Sequence, residues 1–219
     1  MTYAYDTDVL LRGVIIESIP TIPISSLFHQ RTVEDQKEME ACKQFFEREL
    51  DRILLYSVKD EWKNNIRSKM EDFANEIYAL RETNLSAEKM LEKLKEKTQH
   101  LGLVESFGKI ATENWKEEID TFLSALDRNY FILIQKSRKF GKNESKHEKW
   151  KNTFIKNIPT LNAKGKSQDL ENLVACACLA ETNKTETAFV LIDKPLLKHK
   201  EKIEQTGNYT LMKPSEVTA

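Results

Sequence analysis

The apolar run at residues 189–192, which ends on Asp193, constrains the fold of this chain more than any other stretch. The run contains Phe, Val, Leu and Ile without interruption, a composition typical of a short strand that is buried on both faces. Strands of this kind lie at the centre of parallel sheets. Asp193 then lies at the carboxyl end of the strand, which is the edge where open α/β sheets bind ligands. The run therefore predicts an α/β fold with a parallel sheet.

Other acids follow predicted strands in the same way. Residues 3–5 favour a strand that ends on Asp6, and the helical pattern after it has Thr7 or Asp8 as its predicted N-cap. Residues 53–56 favour a second strand. Ser57 and Asp60 then resemble a capping box, which places Glu61 in the first turn of the next helix.

A fourth acid, Asp169, falls in the first turn of a helix that is predicted to begin at Ser167. Because the carboxyl ends of parallel strands meet at one edge of a sheet, we expect Asp6, Glu61, Asp169 and Asp193 to converge there. Clustered carboxylates repel one another unless a cation neutralises them, and their hard oxygen ligands suit Mg²⁺ or Mn²⁺. Such an ion polarises a phosphodiester and activates a water molecule. The pattern predicts phosphodiester hydrolysis without a Ser, Cys or His nucleophile.

Four segments that carry these acids, residues 5–11, 55–61, 169–175 and 190–193, resemble the acidic motifs of the PIN domain family in the family's order. Residues 207–216 are similar to its closing strand, followed by a proline and an acid. The resemblance implies a three-layer α/β/α fold with a short central parallel sheet. It also implies a metal-dependent endoribonuclease acting on single-stranded RNA. Residue by residue, it implies that Asp6, Glu61, Asp169 and Asp193 bind the metal, and that Thr7 supports a metal-bound water.

The chain departs from the family pattern at two places. Leu191 stands where the family usually has Thr or Ser, so a hydrogen bond to metal or phosphate is expected to be missing and activity to be weakened. Glu61 and Asp169 are also far apart in the chain, which predicts a nuclease core of residues 1–65 and 166–219 with a helical insertion at 66–165. Amphipathic helices are expected across much of that insertion. Within the predicted core, a loop is expected at residues 20–26.

The insertion ends in a basic segment, residues 136–166, which has ten Lys or Arg against two Glu, a net charge of +8. Because the whole chain carries −1, the remainder carries −9. Phe140, Trp150 and Phe154 alternate with the lysines, a combination that favours stacking of bases while phosphates are neutralised. The segment, expected to be partly loop, is a predicted interface for single-stranded RNA. Its candidate residues are Arg138, Lys139, Lys142, Lys149, Trp150 and Lys151.

Composition limits the other possibilities. The longest apolar stretches are much shorter than the roughly 20 residues needed to span a bilayer, and residues 1–6 lack a basic n-region. We therefore expect a cytoplasmic protein with no membrane partner. The three cysteines have no metal-binding spacing, and His29, His100, His147 and His199 are expected to be surface residues. A homodimer, and an antitoxin or other protein partner, stay open.

Two alternative functions stay open at this point. Asp6-Thr7-Asp8 also resembles the motif of haloacid-dehalogenase-like phosphatases, in which the first acid is a phosphoryl-accepting nucleophile. The residues after Asp193 do not supply the further acid that such phosphatases carry. A PIN-like protein that binds RNA without cleaving it is the other alternative, and Leu191 makes it plausible.

Overall fold

A five-stranded parallel sheet forms the centre of the molecule in the computed structural model, which describes residues 1–18, 33–68, 89, 115–162, 167–183 and 185–217. The strands are β1 (Thr2–Tyr5), β2 (Asp51–Leu55), β3 (Arg138–Phe140), β4 (Thr187–Val190) and β5 (Thr210–Met212). Their order in the sheet is β3-β2-β1-β4-β5. Every neighbouring pair is parallel, so the prediction of an α/β fold with a parallel sheet is confirmed.

Helices connect the strands along the chain. They are α1 (Thr7–Ser18), α2 (Val33–Glu47), α3 (Tyr56–Glu61), α4 (Trp115–Gln135), α5 (Glu144–Asn157), α6 (Ser167–Thr182), α7 (Lys194–Leu197) and α8 (Lys200–Gly207). A π-helical turn, Trp62–Ile66, continues α3, and 3-10 turns occupy Pro159–Asn162 and Pro214–Glu216. In the described residues no helix is both long and apolar enough to cross a bilayer.

Helices cover both faces of the sheet. Tyr5 of β1 packs edge-on against Phe45 of α2, and Arg52 of β2 donates to the Phe45 carbonyl oxygen at 2.9 Å, so these side chains face α2. On the opposite face, Phe189 of β4 packs against Tyr209, whose hydroxyl donates to the Leu173 carbonyl oxygen of α6. Side chains alternate between the faces along each strand, as the pleat requires. This arrangement is consistent with three α/β/α layers.

The sheet has a topological switch point between β1 and β4. From β1 the chain continues outward through β2 to β3, whereas β4, on the other side of β1, is followed by β5. The register pairs Tyr5 with Val190, so the two strands end side by side. The crevice outside such a switch point is the general ligand site of open α/β sheets.

Several predicted boundaries differ from the structure. Helix α3 begins at Tyr56 with Leu55 as its N-cap and no capping side chain, so the predicted cap at Ser57 is wrong and Glu61 lies beyond the first turn. Helix α1 begins at Thr7, and the Asp6 carbonyl oxygen accepts from the Leu10 N–H at 3.2 Å. Asp6, rather than Thr7 or Asp8, is therefore the N-cap residue.

The described part of the basic segment, residues 136–162, contains both regular structure and loop. It forms β3, α5 and the 3-10 turn, residues 141–143 form a loop between β3 and α5 as predicted, and α5 packs against α6. Asn143 caps α5 by accepting from the Lys146 N–H at 3.2 Å. Leu126, Phe154 and Leu161 are all buried in the same core as the sheet. Residues 115–162, assigned from the sequence to the insertion 66–165, therefore belong to one folded unit with the predicted core.

Some predictions fall outside the described residues. These are the loop at residues 20–26, the helical pattern beyond Ser68 up to residue 114, and the positions of His29, His100, Lys164 and Lys166.

Candidate functional site

Asp6 lies at the switch point because β1 ends at Tyr5 and α1 begins at Thr7. Its backbone N–H donates to the Val190 carbonyl oxygen at 2.9 Å, so the ladder between β1 and β4 extends one residue beyond β1. This bond fixes the Asp6 backbone against the neighbouring strand. Its side chain is only partly exposed to solvent. The location agrees with the expected position of Asp6 at the carboxyl edge of the sheet.

Asn172 of α6 connects Asp6 with Glu61 of α3. The Asn172 amide nitrogen donates to Asp6 Oδ1 at 2.8 Å and lies 3.4 Å from Glu61 Oε2. The Thr7 hydroxyl also donates to Glu61 Oε2. Gln168, one turn earlier in α6, donates to the Asn172 side-chain oxygen at 3.3 Å and so orients the amide. Two predicted site acids from separate parts of the chain thus lie on either side of one buried amide.

The surroundings of Asp6 disfavour its ionised form. Burial raises the pKa of Asp6 to about 8, and the charges of Asp8 and Glu61 act in the same direction. Hydrogen bonds from the Thr7 backbone and from Asn172 oppose the rise without cancelling it. A carboxyl group with neighbouring acids in a sheltered position is one that a cation would stabilise as the carboxylate.

Asp193 follows β4 and stands beside the end of β1. Leu191 and Ile192 separate it from the strand, which ends at Val190 rather than at Asp193 as predicted. Asp193 is the N-cap of α7, and its Oδ1 accepts from the Leu196 N–H at 2.7 Å. The pKa of Asp8 is raised, mainly by burial. The charge of Arg12 opposes this rise, and the charge of Asp193 adds to it, so Asp193 acts on a residue of α1 across the switch point. One Asp193 oxygen therefore has a structural role.

Asp169 lies in the first turn of α6, as predicted. It precedes Asn172 by three residues and so occupies the same face of the helix. Within the described ranges, no group of three or more His, Cys, Asp or Glu side chains is arranged to hold a metal ion. The structure thus brings Asp6 and Glu61 together and places Asp193 at the same sheet edge. The metal-ligand roles of all four acids remain predictions.

Leu191 is fully buried in the core. Its backbone N–H donates to the Met212 carbonyl oxygen at 3.0 Å, which extends the pairing with β5. The residue that departs from the PIN pattern therefore contributes packing at the base of the crevice.

Most of the basic residues proposed to bind RNA contact acids of the protein itself. Arg138 makes two hydrogen bonds with Asp51, at 2.8 and 2.6 Å. The remaining contacts are Lys142 with Glu144 at 2.9 Å, Lys149 with Glu181 at 2.8 Å, the Trp150 indole with Glu181 at 2.8 Å, and Lys151 with Glu171 at 3.1 Å. Five of the six candidate side chains thus already contact a carboxylate of the protein.

The contacts of Arg138, Lys149 and Trp150 also lie away from the crevice. Asp51 begins β2, so the Arg138 guanidinium that binds it extends toward the amino edge of the sheet, away from Asp6. Glu181, which contacts Lys149 and Trp150, is nine residues after Asn172 in α6, or about 14 Å along the helix axis. Lys151 and Lys142 lie nearer to the crevice.

The aromatic residues of the basic segment are less accessible than predicted. Phe154 is fully buried, so the interpretation that it stacks on a base is wrong. Phe140 and Trp150 are partly buried and pack against the core. The alternation of aromatic and basic residues in this segment reflects one helix face packing inward.

His147 is buried, contrary to the prediction that it is a surface residue. Its Nε2 lies 2.6 Å from Glu171 Oε2. Its ring is 6.1 Å from that of Tyr56, the first residue of α3. The contact between His147 and Glu171 joins α5 to α6. Sequence reasoning missed it, although the spacing of His147, Trp150, Phe154 and Ile158 is that of a buried helix face.

Comparison with known proteins finds no matching family model, no matching curated protein and no matching solved structure.

Proposed function

We propose that this protein is a metal-dependent ribonuclease that hydrolyses phosphodiester bonds of single-stranded RNA. The observation that carries the proposal is the placement of the Asp6 and Glu61 carboxylates on either side of the Asn172 amide. This arrangement lies at the switch point of a parallel sheet, where such folds bind ligands. The sequence resemblance to PIN domains supports the same assignment.

The donor set fits a hard divalent cation. Asp6, Glu61, Asp169 and Asp193 offer only carboxylate oxygens, which suit Mg²⁺ and Mn²⁺ better than softer metals. The raised pKa of Asp6 adds to the fit, because a nearby cation would favour the ionised carboxylate. When bound, such an ion would polarise the phosphodiester and lower the pKa of a water ligand below that of bulk water.

Hydrogen bonds from Thr7, Asn172 and Gln168 fix the orientation of the site. The Thr7 hydroxyl donates to Glu61, which fixes the orientation of that carboxylate. Asn172 places a donor against Asp6, and Gln168 fixes Asn172 in turn. Because these side chains project from helices that pack on the sheet, the acids are held on rigid elements.

A cleavage assay tests the proposal. Purified protein is incubated with end-labelled single-stranded RNA in Mg²⁺ or Mn²⁺, and products are resolved on a denaturing gel. We expect cleavage that stops when the metal is chelated and is lost in Asp6→Asn. The matched control is Asp127→Asn in α4, since Asp127 is solvent-exposed and contacts Arg67 only at 3.8 Å. The control should cleave like the unmodified protein.

The assay also identifies the non-catalytic alternative. Cleavage that persists in Asp6→Asn would point to another active site or a contaminating nuclease and would reject the assignment. Binding of RNA without cleavage in either metal would instead identify a PIN-like protein that retains the fold and has lost the reaction.

A further inference from the structure

We infer that single-stranded RNA enters the candidate site through a lysine-rimmed groove beside Asp193, rather than along the basic segment 136–166. The groove has a volume of about 310 Å³. Its walls come from α2, from the connection between β4 and α7, and from the residues after β5. The inference rests on the proposed function, because it identifies where the substrate of that site binds.

The charges of the groove suit a phosphate backbone. Lys37 of α2, Lys194 of α7 and Lys213 after β5 line it, and all three are solvent-exposed. Glu38, the acid among the lining residues, contacts Arg12 at 3.3 Å. Three elements distant in sequence thus supply cations to one concave surface, whereas lysines scattered over a convex surface could not approach one strand together.

The floor of the groove is apolar. Ile192 and Pro214 are buried beneath it, and Ala41 is partly exposed on the α2 side. A small apolar floor with a cationic rim fits one nucleotide, with the base against the floor and the phosphates toward the lysines. Besides the lysines, the lining residues with hydrogen-bonding side chains are Ser215 and Glu38, and Glu38 contacts Arg12, so we expect binding with little sequence preference.

The groove adjoins the candidate site directly. Ile192 and Lys194, which line it, are the residues on either side of Asp193. The elements around it are packed, since α2 contacts the 3-10 turn Pro214–Glu216. An RNA strand that lies in the groove would therefore continue past Asp193 toward Asp6.

The basic segment is the weaker candidate for the same role. Arg138, Lys149 and Lys151 would each have to exchange a carboxylate partner for a phosphate. The Arg138 guanidinium also binds Asp51 at the amino end of β2, so it extends away from Asp6. The net charge of the segment along the sequence therefore does not show that its candidate cations face solvent without an acidic neighbour.

RNA binding by two triple variants tests the inference. Fluorescence anisotropy is measured with a labelled single-stranded RNA in EDTA, so the result does not depend on cleavage. The groove variant is Lys37→Ala/Lys194→Ala/Lys213→Ala, and the matched control is Lys139→Ala/Lys142→Ala/Lys149→Ala. We expect the groove variant to weaken binding roughly tenfold or more and to lower the salt slope by about 2, since each phosphate contact on a single strand contributes about 0.7. The control should change affinity by less than about threefold.

A third variant separates charge from structure. Lys37→Arg/Lys194→Arg/Lys213→Arg keeps the rim cationic and should bind like the unmodified protein. Three results would overturn the inference. They are equal loss of RNA affinity in the groove variant and the control, loss of RNA affinity in the control alone, and no RNA binding by the unmodified protein at about 50 mM salt. If RNA binding depends on the groove lysines but the protein never cleaves RNA, the groove is the RNA-binding site and the proposed ribonuclease activity is wrong.

Discussion

The carboxyl group of Asp6 favours the protonated form at neutral pH because burial, aided by the charges of Asp8 and Glu61, raises its pKa to about 8. In the unfolded chain an aspartate titrates near pH 4. Between about pH 4 and pH 8 the folded protein therefore binds more protons at this position than the unfolded chain does. By linkage, the contribution of Asp6 to the free energy of unfolding falls as the pH rises through this interval.

Asp6→Asn removes this dependence. In the absence of divalent cations, we expect the variant to gain stability relative to the unmodified protein as the pH rises from 4 to 8. The gain should level off above pH 8 at a few kcal/mol, since each unit of pKa difference between the folded and unfolded states corresponds to about 1.4 kcal/mol. Urea unfolding in EDTA across this pH range measures it. Asp127→Asn should show no comparable trend, and a pH-independent effect of Asp6→Asn would contradict the account.

Asn172 stabilises the two carboxylates beside it. Asn172→Ala leaves Asp6 without its side-chain donor, and we expect it to lower the free energy of unfolding by about 1 to 3 kcal/mol. Asn172→Asp adds a like charge, so its cost should be larger at pH 8 than at pH 5. Urea unfolding at both pH values measures these effects. The control is Asn152→Ala, whose exposed amide contacts Glu148 at 3.3 Å and should matter little. A cost for Asn172→Asp that is the same at both pH values would show that charge is not involved.

The acids of the site could be predicted from sequence more readily than the groups that hold them. Asp6 follows a strand, and that order predicts its place at a sheet edge. Asn172 could not be assigned in this way, because its contact with Asp6 depends on how α6 is rotated against the sheet. The capping role of Asp193 was missed for a related reason: the strand ends earlier than its apolar run, at Val190.

Among the secondary-structure elements, α5 is a packed helix whose buried face was difficult to predict because its sequence is rich in lysine. Its buried face is Phe154 with His147, and the polar contact of His147 with Glu171 joins it to α6. Lysines occupy most of the remaining positions, so overall charge suggested a solvated segment. Strand β3 was missed because its three residues, Arg138–Phe140, contain no apolar run. Its place in the sheet comes from pairing with β2.

The contact between α5 and α6 makes a prediction of its own. Burial opposes ionisation of Glu171, but hydrogen bonds from His147 and Lys151 hold its pKa below the usual value. The stability that Glu171 contributes is therefore present above its unfolded pKa of about 4.3 and is lost as the pH falls through its folded pKa. We expect His147→Ala and Glu171→Gln each to cost about 1 to 3 kcal/mol at pH 7.

Thermal and urea unfolding between about pH 2.5 and pH 7 measure these costs. The cost of Glu171→Gln should shrink toward zero at the acid end, where the unmodified side chain is also neutral. Lys149→Ala, which removes an exposed pair with Glu181, is the control and should change stability by less than about 1 kcal/mol. A cost for Glu171→Gln that does not vary with pH would show that the carboxylate charge is unimportant.

At the scale of the whole molecule, one sheet unites segments that the sequence appeared to divide. The buried apolar runs predicted the α/β class and the parallel sheet. The division at residues 66–165 came from the distance between Glu61 and Asp169, and sequence distance does not report where a strand pairs. Strand β3 extends the sheet from within that interval, and α4 and α5 supply core residues.

Removal of residues 66–165 should therefore prevent folding. We expect a variant with a short linker in their place to lack cooperative thermal unfolding, because β2 loses its outer neighbour β3 and the core loses Leu126, Phe154 and Leu161. Phe154→Ala is the graded control and should fold with a loss of about 3 to 5 kcal/mol. Circular dichroism with a thermal scan distinguishes the two. Cooperative unfolding of the deletion variant near the melting temperature of the intact protein would contradict a single core.

The central claim is that acids from separate elements bind one divalent cation at the switch point of the sheet. Anomalous diffraction from a crystal soaked in Mn²⁺ tests it most directly. The account predicts a manganese peak within about 2.0 to 2.6 Å of an Asp6 carboxylate oxygen, with a second oxygen from Glu61 or Asp193 at a similar distance. A fully soaked crystal in which manganese binds only elsewhere, with Asp6 still hydrogen-bonded to Asn172 and no ion beside it, would contradict the account.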